Sequence, residues 1–225
     1  MTIPDPKATL RLLAWLSPAF PTGGYAYSHG LEWAVETHDI RDGDTLFAWL
    51  DDVLRHGSGR TDAILLRHAH RAGGDLDALA ALAELALATA PSRERRAEAV
   101  GQGRAFASAA RAWEQSVLRD LTARVSDLPY AVAVGALAGV SGIDEDLTAA
   151  GVLQAFAANL ISAAVRLVPL GQNAGLAVLA RLEPSILAVT SETRCATLDD
   201  LGGFCFRSDI AAMRHETQYT RLFRS

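Results

Sequence analysis

The sequence predicts an all-α protein on three observations. Apolar residues recur at intervals of three and four along most of the chain, as on the buried face of a helix. Asp or Ser precedes several of these segments, and Gly or Pro follows them, as at helix boundaries. We find no strand-like alternation, fixed-period repeat or low-complexity linker. We therefore expect one domain, residues 1–225, folded as a compact irregular bundle of about ten helices.

Capping and breaking residues divide the chain into these helices. Asp42 or Asp44 caps the third helix, Asp75 the fifth and Ser92 the sixth. One segment in the middle of the chain is small and apolar all round, which predicts a central helix. Helices are expected at about 8–16, 28–36, 44–56, 60–72, 76–89, 92–118, 130–140, 146–167, 173–181, 185–191 and 209–215. Residues 1–7 are expected to be a flexible N-terminus.

The stretch from Trp15 to Val35 differs from the rest of the chain. It contains two prolines, three glycines and five aromatic residues, a composition typical of a loop. Ser28 has the position of an N-cap for the helix that follows. Because an apolar, aromatic loop is costly to leave in water, we expect it to pack inward, to bind another molecule, or to do both in different states.

Charge and cysteine content exclude several classes of protein. The net charge is −5, and Lys7 is the only lysine among 21 basic residues. This balance argues against nucleic-acid binding, which needs an excess of clustered cations. Cys195 and Cys205 form no CxxC pattern, so we expect no disulfide framework and a reducing compartment. Because the N-terminus lacks the organisation of a signal peptide, we expect a cytoplasmic protein.

Residues 151–170 are apolar over about the length of a membrane span. Four polar side chains interrupt this segment, namely Gln154, Asn159, Ser162 and Arg166. Arginine and asparagine are costly in lipid. The expectation is therefore a buried helix of a bundle and no membrane.

Motifs for catalysis and for metal or nucleotide binding are missing. Neither GxxxxGK[ST] nor GxGxxG occurs, so we expect no nucleotide site. Ser28 and His29 are adjacent and cannot easily face each other as nucleophile and base. His68 and His70 point to different sides of a helix, and HxxxH is absent, which argues against a metal site. The alternative from another class is a small helical metal-dependent hydrolase that uses His29.

Both ends of the chain carry residues suited to recognition. Tyr25 and Tyr27 are large, stiff and polar-tipped, like the anchors of protein interfaces. A C-terminal segment too short to form its own core holds three apolar side chains among arginines, namely Tyr219, Leu222 and Phe223. We expect the tail, residues 208–225, to become ordered on partner binding. The blander alternative is a structural helical scaffold whose loop only packs.

Three blocks of the sequence resemble the urease accessory proteins of the UreF family. Residues 20–32, FPTGGYAYSHGLE, are similar to the family pattern F-P-x-G-x-[YF]-x-x-S-x-G-L-E. Residues 168–173, VPLGQN, resemble its V-P-L-x-Q segment, and residues 208–223 resemble its C-terminal tail. After the second block, Ala174 and Leu176 stand where the family commonly has an acidic residue and Gln. A polar role at those two positions, such as lining a passage for a metal, is therefore not implied.

The resemblance implies an accessory protein for urease maturation that is not an enzyme. Proteins of this family are helical homodimers that join a UreD/UreH-type partner and recruit the GTPase UreG. The assembly delivers nickel to apo-urease. Nickel is then handled by the complex and GTP is bound by the partner, while this chain binds no cofactor stably.

The resemblance also implies particular site residues. It places Tyr25, with Gly23 and Gly24, on the loop that recruits the GTPase. It places Arg221 on the tail contact that positions this loop, and Glu32 on the same face. The other positions predicted to bind partners are Tyr27, His29, Gln172, His215, Tyr219, Leu222 and Phe223.

Overall fold

The computed structural model of the chain describes residues 5–113 and 116–225. These residues form eleven α-helices and no strand, which confirms the all-α prediction. The helices are α1 (Pro6–Trp15), α2 (Leu31–Glu36), α3 (Gly43–His56), α4 (Ser58–Ala72), α5 (Leu76–Ala88), α6 (Arg93–Ala109), α7 (Val117–Arg124), α8 (Tyr130–Val140), α9 (Glu145–Leu167), α10 (Gln172–Glu192) and α11 (Phe206–His215). Short 3₁₀ turns lie at Gly24–Ala26, Ala110–Trp113, Thr193–Cys195 and Leu198–Asp200.

Local capping sets several of the helix starts. The Asp42 carboxylate accepts from the Thr45 N–H at 2.8 Å and so satisfies one of the free donors at the start of α3. Asp75 caps α5 in the same way, and Ser92 caps α6. These caps are the ones that the sequence predicts. Local sequence chemistry is therefore enough to place these three helix starts.

α8 lies at the centre of the first of two hydrophobic cores. Every residue from 131 to 138 is buried, which confirms the central helix predicted from its apolar composition. α8 crosses α4 closely enough that a Cβ on Gly135 would lie 2.3 Å from the Leu66 carbonyl oxygen. A Cβ on Gly139 would lie 2.2 Å from the His70 carbonyl oxygen. Glycine at both positions permits this backbone contact.

The second core lies between α2, α3, α9 and α10. Its members include Trp49 of α3, Leu160 of α9 and Leu182 of α10, all buried. α9 contributes to both cores, because Val152 belongs to the first and Leu160 to the second. This shared helix fixes the position of the N-terminal loop, which lies against its C-terminal half.

The predicted helix from 92 to 118 is wrong. α6 ends at Ala109, a 3₁₀ turn follows, and α7 is a separate helix that begins at Val117. The turn brings Trp113 into edge contact with Trp15, with ring centroids 5.9 Å apart. Because the apolar spacing runs on through the turn, the sequence pattern does not reveal the break.

The predicted break at Pro184 is also wrong, since α10 runs through it as one helix. Proline removes one N–H donor and crowds the carbonyl four residues earlier, which disfavours an interior position. Val178 and Leu182 before the proline, and Ile186 and Val189 after it, are buried on one side of the helix. Burial of apolar area on both sides of the proline offsets its local cost.

Four helix starts also differ from the predictions by two or three residues. α1 begins at Pro6 instead of residue 8, with Asp5 accepting from the Lys7 N–H. α2 begins at Leu31 instead of Ser28, α4 begins at Ser58 instead of residue 60, and α11 begins at residue 206 instead of 209. Of the N-terminus that is expected to be flexible, residues 1–4 lie outside the described residues, and Pro6 and Lys7 belong to α1.

Two helices, α9 and α10, are long and apolar enough to cross a membrane by length and composition. The core helix of a soluble protein passes the same test, so this finding is weak evidence for a span. Ala157 and Leu160 of α9 are buried in the second core, as the sequence predicts for a helix inside a bundle.

Candidate functional site

The N-terminal loop, residues 17–30, turns back on itself through left-handed backbone positions. Gly23 has φ +73°, His29 has φ +60°, and Gly30, the residue directly before α2, has φ +76°. Glycine adopts such angles without the steric cost that a Cβ adds. A short 3₁₀ turn, Gly24–Ala26, lies between these positions, and none of its residues is buried.

The two loop tyrosines lie in different surroundings. Tyr25 is on the outer side of the turn with 71% of its surface exposed, whereas Tyr27 is buried with 8% exposed. The Tyr27 ring lies over α6, where a Cβ on Gly101 would come within 2.7 Å of its hydroxyl oxygen. Of this pair, Tyr25 is the side chain that is presented to solvent.

Two side chains of α9 hold the backbone on either side of Tyr25. The Asn159 amide donates to the Gly24 carbonyl at 3.0 Å, and the Arg166 guanidinium donates to the Tyr25 carbonyl at 2.9 Å. The positions 159 and 166 are two helical turns apart and share a face. α9 thus fixes the turn on which Tyr25 is displayed.

The C-terminal segment, residues 216–225, lies along the same loop. The Arg224 N–H donates to the Ala26 carbonyl at 2.8 Å, and the Ser28 N–H donates to the Ser225 carbonyl at 2.7 Å. Phe223 is buried under the Arg166 guanidinium, which lies 4.5 Å from its ring centroid, a cation–π contact. The loop is therefore held between α9 and the C-terminal segment.

Glu32, the second residue of α2, binds the C-terminal segment at its backbone. Its two carboxylate oxygens accept from the N–H groups of Leu222 and Phe223, at 2.8 and 3.0 Å. The imidazole Nε2 of His215, at the end of α11, lies 3.2 Å from the same carboxylate. Glu32 is buried, and these three donors satisfy it.

Glu94, in the first turn of α6, makes the second attachment. One of its oxygens lies 2.6 Å from Nδ1 of His215, and the other accepts from the Arg221 guanidinium at 2.7 Å. His215 is fully buried, with a carboxylate at each ring nitrogen. We call Glu32, Glu94, His215 and Arg221 the tail cluster, because together they attach the C-terminal segment to α2 and α6.

His29 lies in a separate buried group beside the tail cluster. Its Nε2 is 2.6 Å from the Ser58 hydroxyl, and its Nδ1 is 3.7 Å from the Glu98 carboxylate. Burial, and then the nearby Arg95 guanidinium, lower the pKa of His29 to about 4, so the ring is neutral at pH 7. Within the described residues, no group of three or more His, Cys, Asp or Glu side chains could hold a metal ion.

Glu98 is the charged centre of this second group. Burial alone would raise the pKa of Glu98, but the Arg95 guanidinium and hydrogen bonds lower it to about 2. One of these hydrogen bonds comes from the Ser225 hydroxyl at 2.8 Å. The C-terminal segment is therefore bound to α6 at Glu98 as well as at Glu94.

Asp62 of α4 is expected to destabilise the fold at neutral pH. Burial raises the pKa of Asp62 to about 6, so its charged form is disfavoured in the folded state. We expect Asp62→Asn to raise the free energy of unfolding by about 1 kcal/mol at pH 7, a figure reduced for its partial exposure. The gain should shrink as pH falls below about 6 and disappear below about pH 3, where the carboxyl is protonated in both states. Urea unfolding of both proteins at several pH values measures the difference in the free energy of unfolding. A difference that is the same at every pH would contradict the prediction.

The remaining predicted site residues lie at the surface. Tyr219 and Leu222 are exposed, and Gln172 is exposed at the start of α10. Among the hydrogen bonds of the described residues, none joins Gln172 to the loop or to the tail cluster. Their predicted roles in binding partners stay predictions, as does the ordering of the tail when a partner binds.

The sequence analysis missed several residues of the site. Glu94, Glu98 and Ser225 bind the C-terminal segment, and Asn159 and Arg166 hold the loop. A signal was present for the last two, because polar residues seven apart in an apolar helix share one face. The glutamates carry no such signal, since Glu94 is one of the many acidic residues found in first helical turns, and Glu98 is one charged residue among several in α6.

These features define an all-α protein whose N-terminal loop displays a tyrosine and is bound by the far end of the chain. Residues 40–183 match the family model of UreF. The urease accessory protein UreF of Bradyrhizobium sp. strain BTAi1 is 50% identical over 228 residues, which cover 100% of this chain and 95% of the relative. That of Xanthobacter autotrophicus strain Py2 is 53% identical over 224 residues, 98% of this chain and 92% of the relative. The chain belongs to the UreF family of urease accessory proteins, as the sequence resemblance predicts.

Proposed function

We propose that this protein bridges a UreD/UreH-type accessory protein and the GTPase UreG, and that the assembly delivers nickel to apo-urease. The observation that supports the proposal is the exposed Tyr25 on a loop held by α9 and by the C-terminal segment. An exposed aromatic ring on a rigid loop loses little conformational entropy when a partner covers it. Such a loop is suited to recognition.

The proposal divides the chemistry between this chain and its partners. UreG binds GTP, nickel is the cargo of the complex, and this chain catalyses no reaction. It acts as a homodimer in the cytoplasm, without binding nucleic acid or a membrane. Its membership of a family of urease accessory proteins supports a role in maturation.

The experiment compares Tyr25→Ala and Arg221→Ala with the unchanged protein, each bound to its UreD-type partner. We expect both variants to weaken capture of UreG by about tenfold or more, as for interface hot spots. Tyr25→Ala removes a side chain that is mostly in solvent, so its melting temperature should stay the same. Arg221→Ala removes a bond to Glu94 and so acts on the loop through the C-terminal segment.

The control is Leu10→Ala, which truncates an exposed apolar side chain on α1. Capture of UreG unchanged by Tyr25→Ala would contradict the proposed recruiting loop. Unchanged capture with Arg221→Ala would contradict the coupling between tail and loop. A lower melting temperature of the Tyr25→Ala protein would instead support the interpretation that the loop only packs within a structural scaffold.

A further inference from the structure

Arg166 of α9 contacts both the turn that displays Tyr25 and the C-terminal segment. Its Nη2 donates to the Tyr25 carbonyl at 2.9 Å, and its Nε donates to the Ser162 carbonyl of its own helix at 3.1 Å. The guanidinium carbon lies over the Phe223 ring, 4.5 Å from the ring centroid. Two hydrogen bonds and one aromatic ring therefore determine where this guanidinium lies.

The two side chains of α9 that hold the turn differ in their relation to the segment. Asn159 donates to the Gly24 carbonyl at 3.0 Å, a bond that involves no atom of the segment. The Arg166 guanidinium touches a side chain of the segment, Phe223, and the backbone of Tyr25 at the same time. Arg166 thus links the segment to the residue that the loop displays, whereas the bond of Asn159 is independent of the segment.

The bond from Arg166 to the loop depends on what supports the guanidinium. Arg166 is exposed, and an exposed arginine has many rotamers, so holding it in one place costs conformational entropy. The buried Phe223 ring offsets this cost, because the negative face of an aromatic ring attracts a cation. When the segment is detached, the ring is absent and water competes for the guanidinium donors. The bond to the Tyr25 carbonyl is then weaker.

We infer that Arg166 is a positioning residue, through which the docking of Phe223 holds the turn that displays Tyr25. The inference rests on the proposed function, because the UreD-type partner proposed there is what orders the segment. With the segment in place, the ring holds the guanidinium and the guanidinium holds the Tyr25 carbonyl. The turn is then fixed before the GTPase binds, so less conformational entropy is lost on capture.

Hydrogen exchange of the chain bound to its UreD-type partner tests the inference, because the partner keeps the segment attached. The amides of Ala26 and Tyr27 report on the turn, since both bond to carbonyls within it. The Leu222 amide, which bonds to Glu32, reports on the attachment of the segment. We expect Arg166→Gln to lower the protection of the two turn amides about fivefold and to leave that of Leu222 unchanged. Equal protection of the turn in both proteins would overturn the inference.

The ring is tested with Phe223→Leu, which keeps an apolar side chain and removes the aromatic face. It should lower the protection of the turn amides about as much as Arg166→Gln does. A protein with both substitutions should show no further loss, because the ring acts on the turn through the guanidinium. Losses that add, or loss of protection at Leu222 in Phe223→Leu, would show that the ring only holds the segment, and the inference would be wrong.

Three more variants separate this role from a general loosening of the fold. Asn159→Ala removes the hold that is independent of the segment, so Phe223→Leu should lower turn protection further in its background. Arg166→Lys keeps a cation near the ring and should restore part of the protection that Arg166→Gln loses. The matched control is Arg181→Gln, since Arg181 makes a cation–π contact with Phe47, 4.3 Å from its centroid, between α10 and α3. It should leave the turn amides unchanged.

Capture of UreG by the same partner-bound proteins distinguishes failure of this inference from failure of the proposed function. We expect Arg166→Gln and Phe223→Leu to weaken capture about fivefold, in parallel with turn protection. If the unchanged complex does not capture UreG while both variants lower turn protection, the recruiting role is wrong and the role of Arg166 stands. If it captures UreG and the variants leave the turn protected, the recruiting role stands and the role of Arg166 is wrong.

Discussion

Replacing Glu32 with alanine is expected to detach the C-terminal segment and to lower the free energy of unfolding by about 3 kcal/mol. The substitution removes the acceptor of two backbone N–H groups, those of Leu222 and Phe223, and one of the two carboxylates at His215. If the segment stayed in place, these donors would have no partner in a buried site, which is costly. Urea unfolding measures the loss of stability of the whole fold. Hydrogen exchange of the Ser28 amide measures the loss of protection where the segment contacts the loop.

The loss in the free energy of unfolding is limited, because the segment can move into water, where its N–H groups bond to water molecules. We therefore expect the loss of amide protection to be confined to the segment and the loop, while α8 keeps its own. The control is Glu183→Ala, which removes an exposed glutamate of α10. Full protection of the Ser28 amide in Glu32→Ala would contradict the structural role assigned to this carboxylate. We also expect the variant to lose capture of UreG.

The elements that the sequence predicts well are those whose signals are local. Asp42, Asp75 and Ser92 cap the helices for which they were predicted as caps, because a cap bonds within three residues of itself. α8 is recognised since a helix buried on all sides needs an apolar residue at almost every position. Neither prediction requires knowledge of what the element packs against.

The wrong predictions are those that tertiary contacts decide. Pro184 is a helix breaker by local rules, yet apolar residues on both sides of it are buried against α3 and α9. The turn that follows the end of α6 at Ala109 places Trp113 against Trp15, almost a hundred residues earlier. A spacing pattern within one segment contains no information about either contact.

The residues of the site fall into the same two groups, those that the sequence indicates and those that only tertiary contacts reveal. Tyr25 and Arg221 follow from the resemblance to the family, and the exposure of Tyr25 agrees with a residue that meets a partner. The contact between Glu94 and His215 joins residues 121 positions apart. Nothing in either local sequence indicates the other. Only the folded chain reveals that one carboxylate holds both α11 and the segment that follows it.

Replacing Gly30 with alanine is expected to have the largest effect on stability, about 4 kcal/mol or more. Gly30 has φ +76°, where a Cβ costs about 1 kcal/mol by itself. The added Cβ would also lie 2.6 Å from the backbone nitrogen of Ala212 and 2.8 Å from its Cα. A backbone cannot rotate aside as a long side chain can, so α11 must move away from α2.

That movement reaches the tail cluster, because α11 carries His215 at its end and α2 carries Glu32. Gly142→Ala is the matched control, since Gly142 has φ +66° and nothing lies within 4 Å of its added Cβ. Gly142→Ala should lower the free energy of unfolding by about 1 kcal/mol, which is the cost of backbone strain alone. Urea unfolding of both variants separates strain from collision, and equal losses would mean that the contact of α2 with α11 contributes little. A larger loss for Gly30→Ala, with loss of protection at the Leu222 amide, would show that this glycine sets the distance at which loop and tail meet.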